Sequence, residues 1–267
     1  MSNLALNLRF GGPARGSDGQ GASGRGGGPA SAVRPLAADE TLFFIHIPKC
    51  AGTSFRDVLK RWFGQDLLHI DAQDSQALAR TIARRAAPPR AVTGHFVYGV
   101  HEQLAGRPRY VSLVRDPLER FVSLYKHARS NLGHGFHEAA SHMDLEAFYD
   151  FSLVHPEARR ETVGIQCYFL SRARSFEEAR THIDAHFAQI APVERFPDFV
   201  RLCAADLGLE PPNRPPRNLG AEDSRAEAAK AALAGRVARD HREDLSLYHY
   251  VRDTFETRLS RSALSEA

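Results

Sequence analysis

From Thr41 onward, apolar positions fall into short continuous runs separated by longer stretches with a helical repeat. Thr41-Leu-Phe-Phe-Ile-His-Ile47 is a β-branched and aromatic run closed by Pro48, the pattern of a strand buried on both faces. Phe55, Val58, Leu59, Trp62 and Phe63 then recur at i, i+3, i+4, i+7 and i+8, which predicts a helix with one buried stripe. A helical stretch over 75–86 ends before Pro88-Pro89, and Ala91-Val-Thr-Gly-His95 predicts a short strand stopping at glycine. Tyr110-Val-Ser-Leu-Val114 is a second strong strand, followed by a helix whose stripe is Leu118, Phe121, Val122, Tyr125 and Ala128.

Residues 144–190 read as mainly helical, and Ile190-Ala-Pro-Val-Glu-Arg195 as a late strand weakened by Pro192. Helices are expected over 196–207, 222–235 and 240–259, the last with Leu245, Tyr248, Val251, Phe255 and Leu259 in phase. Strands alternating with helices imply an α/β fold around a parallel sheet with βαβ crossovers. Residues 11–28 contain nine glycines and too little apolar surface to offset ordering entropy, so residues 1–38 are expected to be a disordered Gly-rich tail and 39–262 one domain.

Composition narrows the class only slightly. Hydrophobic residues at 43% and charged residues at 25% are ordinary for a globular protein, and a net charge of +3 gives no reason to expect a nucleic-acid partner. Cys50, Cys167 and Cys203 are too few, and odd in number, for a disulfide scaffold, which suits a reducing compartment. No apolar run reaches the roughly 20 residues of a membrane span, so a cytoplasmic protein is expected.

Two strand-to-helix junctions carry the chemistry, at the strand ends where open α/β sheets bind ligands. In His46-Ile-Pro-Lys-Cys-Ala-Gly-Thr-Ser54 a strand delivers Lys49 into a turn that opens a helix with Gly52, Thr53 and Ser54. Free backbone N–H groups and hydroxyls around a cation suit an anion, although an ordinary capped helix beside an exposed lysine has the same pattern. A Walker A loop is excluded, because the first glycine is missing and the lysine precedes the Gly-Thr-Ser.

In Arg115-Asp-Pro-Leu-Glu-Arg-Phe-Val-Ser-Leu-Tyr125, Asp116 fits an N-cap, Pro117 the first helical position and Glu119 the N3 partner of a capping box. Arg115 then stands at a helix N-terminus. Arg120 and Ser123 share a face away from the apolar stripe and need polar partners; a phosphate would satisfy Arg115 and Ser123, and an Asp116–Arg120 surface pair is the plainer alternative.

These two motifs resemble the 5′-phosphosulfate loop and the 3′-phosphate motif of carbohydrate sulfotransferases of the heparan-sulfate 2-O-sulfotransferase-like kind. Gly94-His-Phe-Val-Tyr-Gly99, Val193-Glu-Arg-Phe196 and Asp244-Leu-Ser-Leu-Tyr248 are also similar to that family, so the resemblance runs over 41–257. It implies a P-loop-like three-layer fold, with a central parallel sheet flanked by helices, and 3′-phosphoadenosine 5′-phosphosulfate (PAPS) as donor. The acceptor would be a hydroxyl, on a saccharide, and no metal would be required.

By the same resemblance, Lys49, with Cys50, Ala51, Gly52, Thr53 and Ser54, would hold the 5′-phosphosulfate, and Arg115 and Ser123 the 3′-phosphate. Arg217, in the Pro-rich loop 211–217, would cover the nucleotide. His95 would be the general base, at a strand end and titrating near neutrality, with His101 and Glu102 as reserves. Many relatives carry threonine where this chain has Cys50. The competing readings are a P-loop-like kinase and a nucleotide-binding module without turnover.

Outside these motifs, Cys50 as a nucleophile and a zinc site among His127, His134, His137 and His142 are weaker readings than packing and an acceptor-facing loop.

Overall fold

The computed structural model describes residues 35–70, 80–82, 84–85, 87–103, 106–212 and 224–265. The Gly-rich tail up to Arg34, most of the 75–86 stretch, and Arg217 lie outside these residues.

Five strands form one parallel sheet: β1 (Glu40–Ile45), β2 (Leu67–His69), β3 (Ala91–Gly94), β4 (Arg107–Val114) and β5 (Phe187–Pro192). Their order is β2-β3-β1-β4-β5, so the winding direction reverses beside β1. Such a reversal opens a crevice at the carboxyl ends of the central strands. The loops after β1 and β4 both start at that edge.

Alternation along β1 builds the layers. Phe44 packs on Phe55 of α1 (Gly52–Phe63) with ring centroids 4.7 Å apart, and Phe55 lies 4.8 Å from Phe199 of α8 (Phe196–Leu207). The next side chain back, Phe43, points the other way. It meets Tyr110 at 5.3 Å and Phe96 at 6.3 Å, and Tyr98 continues that layer to His182 of α7 (Phe176–His186) at 4.1 Å. Helices therefore cover both faces of the sheet.

The remaining helices are α2 (Pro117–Ser130), α3 (His137–His142), α4 (Leu145–Val154), α5 (Pro156–Thr162), α6 (Ile165–Ser171), α9 (Ser224–Asp240) and α10 (Arg242–Ser265). Phe121 and Val122 of α2 join Phe136, Phe148, Tyr149, Leu233 and Val237 in a second apolar cluster, separate from the sheet's core.

Three boundaries differ from the sequence expectation. β2 is too short and too half-buried to show a period. β4 starts at Arg107, where Arg107 and Arg109 pair with Asp39 and Glu40, so its first turns read as polar. β5 begins at Phe187, inside the stretch expected to be helical, and ends at Pro192, which an edge strand tolerates because its outer side needs no ladder partner; residues 193–195 form a 3₁₀ turn instead.

Candidate functional site

The loop between β1 and α1 is strained at two points: Lys49 has φ 69° and Ala51 φ 56°, both in the left-handed region that non-glycine residues avoid. Ala51 occupies the N-cap of α1 without a side-chain cap, and the first turn holds no acidic residue. The first-turn amides, those of Gly52, Thr53 and Ser54, therefore have no side-chain cap among the described residues. Gly52 is needed for another reason. A Cβ there would sit 1.7 Å from Cδ2 of His46, whose ring lies across the start of the helix.

His46 also touches His95, with ring centroids 4.2 Å apart. Burial pushes the His46 pKa down to about 2, with His95 and Arg56 adding to the effect, so the ring is neutral. His95 Nδ1 lies 2.8 Å from the carbonyl oxygen of His46. A carbonyl only accepts, so Nδ1 carries the proton and Nε2 is the basic nitrogen of His95.

Lys49 has no carboxylate partner among the described residues, and burial together with Arg115 and Arg120 lowers its pKa. Arg115 reaches the same loop, Nη1 donating to Lys49 O at 3.5 Å, while Nη2 lies 3.7 Å from Glu119. Its Nε is buried and has no hydrogen-bond partner among the described residues. Lys49 and Arg115 beside uncapped amides give this corner the chemistry to hold an anion.

Asp116 caps α2, its Oδ1 accepting from Leu118 N at 2.9 Å and Glu119 N at 3.1 Å. Glu119 does not complete a capping box; it turns to Arg115 and to Lys230, 2.5 Å away. Arg120 also departs from expectation. It is 1% exposed, and Nη2 donates to Glu161 O at 2.9 Å and Thr162 O at 3.1 Å, the last carbonyls of α5. It therefore joins two helices and forms no surface pair with Asp116. Ser123 is half-buried one turn on, and its hydroxyl has no hydrogen-bond partner among the described residues.

The reserve bases lie elsewhere. His101 bonds Tyr110 Oη at 2.8 Å and lines a small cavity with Thr41 and Arg107, at the amino ends of β1 and β4. Glu102 pairs with Arg172 at 3.2 Å. Cys50 is buried, its thiol pushed up to about 12 by burial, which rules against a nucleophile. Among the described residues no group of three potential metal ligands forms. His127 and His134 stack edge to face at 5.4 Å, and burial with the nearby Lys49 charge keeps both pKa values low, His134 at about 4.

Gln166, which no motif revealed, and Asp244, which opens one of the late motifs but was given no role there, tie the site together. Gln166 of α6 is fully buried; its Nε2 donates to Arg115 O at 2.8 Å, and its Oε1 accepts from Arg115 N at 2.9 Å and from Cys50 Sγ at 3.5 Å. Asp244 accepts from Cys167 N at 3.0 Å and Gln166 N at 3.4 Å, holding the start of α6. The available signal for Gln166 was a lone amide in the apolar run Ile165–Leu170, which must find partners when buried. Glu194 and Tyr248, from the two late motifs, lie within electrostatic reach of each other, and Arg115 within that of Glu194.

The sulfotransferase family model matches residues 36–195, more than half of the sequence, and the chain belongs to that family. Its strands and its Lys49 loop build the P-loop-like α/β fold of sulfotransferases. Among solved structures, mouse sulfotransferase SULT7A1 complexed with PAP is similar at 17% identity and TM-score 0.45, over 74% of this chain and 64% of that one. A sulfotransferase from Alicyclobacillus acidocaldarius is similar at 18% identity and TM-score 0.45, over 80% of this chain and 97% of that one. This chain thus spans less than two thirds of the mouse enzyme's length. No curated protein matches the sequence.

Proposed function

We propose that the protein transfers a sulfuryl group from PAPS to an acceptor hydroxyl. The observation that carries this reading is the contact of Arg115 with the Lys49 loop across 66 residues of sequence, which makes one cationic surface at the sheet edge. Among the described residues the donor set suits the nucleotide: uncapped amides at 52–54, a lysine without a carboxylate partner, and a buried guanidinium nitrogen without an acceptor.

In this reading the first turn of α1 and the backbone of Cys50 and Ala51 bind the 5′-phosphate. Arg115 Nε and Ser123 Oγ take the 3′-phosphate, and the resemblance adds Arg217 to the nucleotide's ligands. When bound, PAPS supplies an activated sulfuryl group on a phosphate leaving group. Lys49 neutralises charge developing on that phosphate, the role a metal plays for nucleoside triphosphates, so no metal is required. His95 Nε2 takes the acceptor proton. A neutral His46 beside it adds no repulsion to the imidazolium that forms.

The acceptor we propose is a saccharide hydroxyl. The motifs resemble those of carbohydrate sulfotransferases, and His127 and His134 offer neutral hydrogen-bonding groups beside Lys49. Buried thiols at Cys50, Cys167 and Cys203 suit action in the reducing cytoplasm.

The test is a thermal-shift titration with 3′-phosphoadenosine 5′-phosphate, ADP and ATP, with and without magnesium. At about 100 times its dissociation constant a ligand adds ~2.7 kcal/mol, so the 3′-phosphorylated nucleotide should raise the midpoint by several degrees without magnesium. Stabilisation by ATP with magnesium alone would replace this reading with a kinase.

A further inference from the structure

We infer that Gln166 is a positioning residue, which sets Arg115 and the Lys49 loop in one fixed relation before any nucleotide arrives; the inference rests on the donor reading above. Arg115 is the first residue beyond β4, and the ladder to β5 ends at Val114 opposite Pro192. Proline has no N–H to continue the ladder. Gln166 takes over: its carboxamide accepts from Arg115 N at 2.9 Å and donates to Arg115 O at 2.8 Å, like one more strand residue. The same oxygen accepts from Cys50 Sγ at 3.5 Å, between Lys49 and Ala51, the two residues of the loop in left-handed conformation.

Only a primary amide meets these demands. A glutamate could accept but not donate to Arg115 O, and an aliphatic chain could do neither. Asp244 completes the support by holding the first amides of α6, at Gln166 N and Cys167 N. The path therefore runs from α10 through α6 to both halves of the anion site. Its purpose is preorganisation: the guanidinium that reads the 3′-phosphate is aimed by its own anchored peptide groups.

The readout is selectivity, taken as the ratio of affinities for 3′-phosphoadenosine 5′-phosphate and adenosine 5′-phosphate, by calorimetry on the full chain. Gln166→Met keeps the side-chain length and removes the hydrogen bonds. Its selectivity should fall about tenfold toward that of Arg115→Ala, a loss on the scale of one or two unmade hydrogen bonds. In the Gln166→Met, Arg115→Ala double variant no further fall is expected, because both changes act through one group. Should the methionine variant fail to fold, Gln166→Glu, which keeps shape and acceptor but loses the donor, is expected to show the same direction of change.

Unchanged selectivity in a folded Gln166 variant, with Arg115→Ala showing the loss, would make Gln166 an ordinary core residue and overturn the inference. A wild-type protein that does not prefer the 3′-phosphate would overturn the donor reading, and this inference with it.

Discussion

His46 connects three features of the site: it excludes a side chain at residue 52, stacks on His95 and supplies the carbonyl that orients it. Gly52→Ala would drive a methyl group into the imidazole, so a stability loss of about 1–3 kcal/mol is expected in denaturant titrations, with weakened nucleotide binding. His46 also brings a pH dependence. Unfolded, its imidazole titrates near 6.5; folded, its pKa is about 2. Between those values the unfolded chain holds the extra proton, so this residue destabilises the fold increasingly as pH falls through 6.5. His46→Phe removes that loss, and its stability relative to wild type should rise steadily from about pH 6.5 to about pH 4. A constant difference in urea melts across that range would show that the folded ring takes up the proton. For His95→Ala, nucleotide binding should persist while transfer drops about 10²- to 10⁴-fold; undiminished turnover in a sulfation assay would remove His95 as the base.

At the scale of elements, the two arginines of the second motif are separated by what surrounds them. Arg115 is half-buried at the mouth of the site, so Arg115→Ala should leave stability nearly intact. Its affinity for 3′-phosphorylated ligands should fall by about 1.5–3 kcal/mol, with little change for ligands lacking that group. Equal losses for both would refute the assignment. Arg120, five residues on, is sealed between α2 and the end of α5, near Glu161 and Asp244. Arg120→Met should destabilise by about 3–5 kcal/mol, since it strands the carbonyls of Glu161 and Thr162 and takes the cation away from buried Asp244, and unfolding midpoints measured beside Arg115→Ala would separate the two roles. Helix periodicity placed Arg120 with Ser123 on a polar face, but the end of α5 lies against Arg120 and makes its part of that face interior.

At the scale of the whole molecule, the elements legible in the sequence are those whose burial is uniform along their length. β1 and β4 read as strands because both faces are covered, and α1 and α2 because one stripe is. β2 and the start of β5 were hidden, since three half-buried residues, or a strand following directly on α7, leave no period to read. The Lys49 loop and the Arg115 motif were legible for a local reason: a strand ending, a cap and a helix start fall within a few residues of the chain. The sequence by itself thus determined the parallel α/β plan, the two strand-to-helix turns and His95 at a strand end. Only the tertiary structure decided that Gln166 and Asp244 hold those turns together, that Arg120 is structural and that His101 lies at the far end of the sheet. The bonds responsible join residues 51 and 77 positions apart, and partners so distant in sequence meet only after the sheet has closed and α6 and α10 have packed against it.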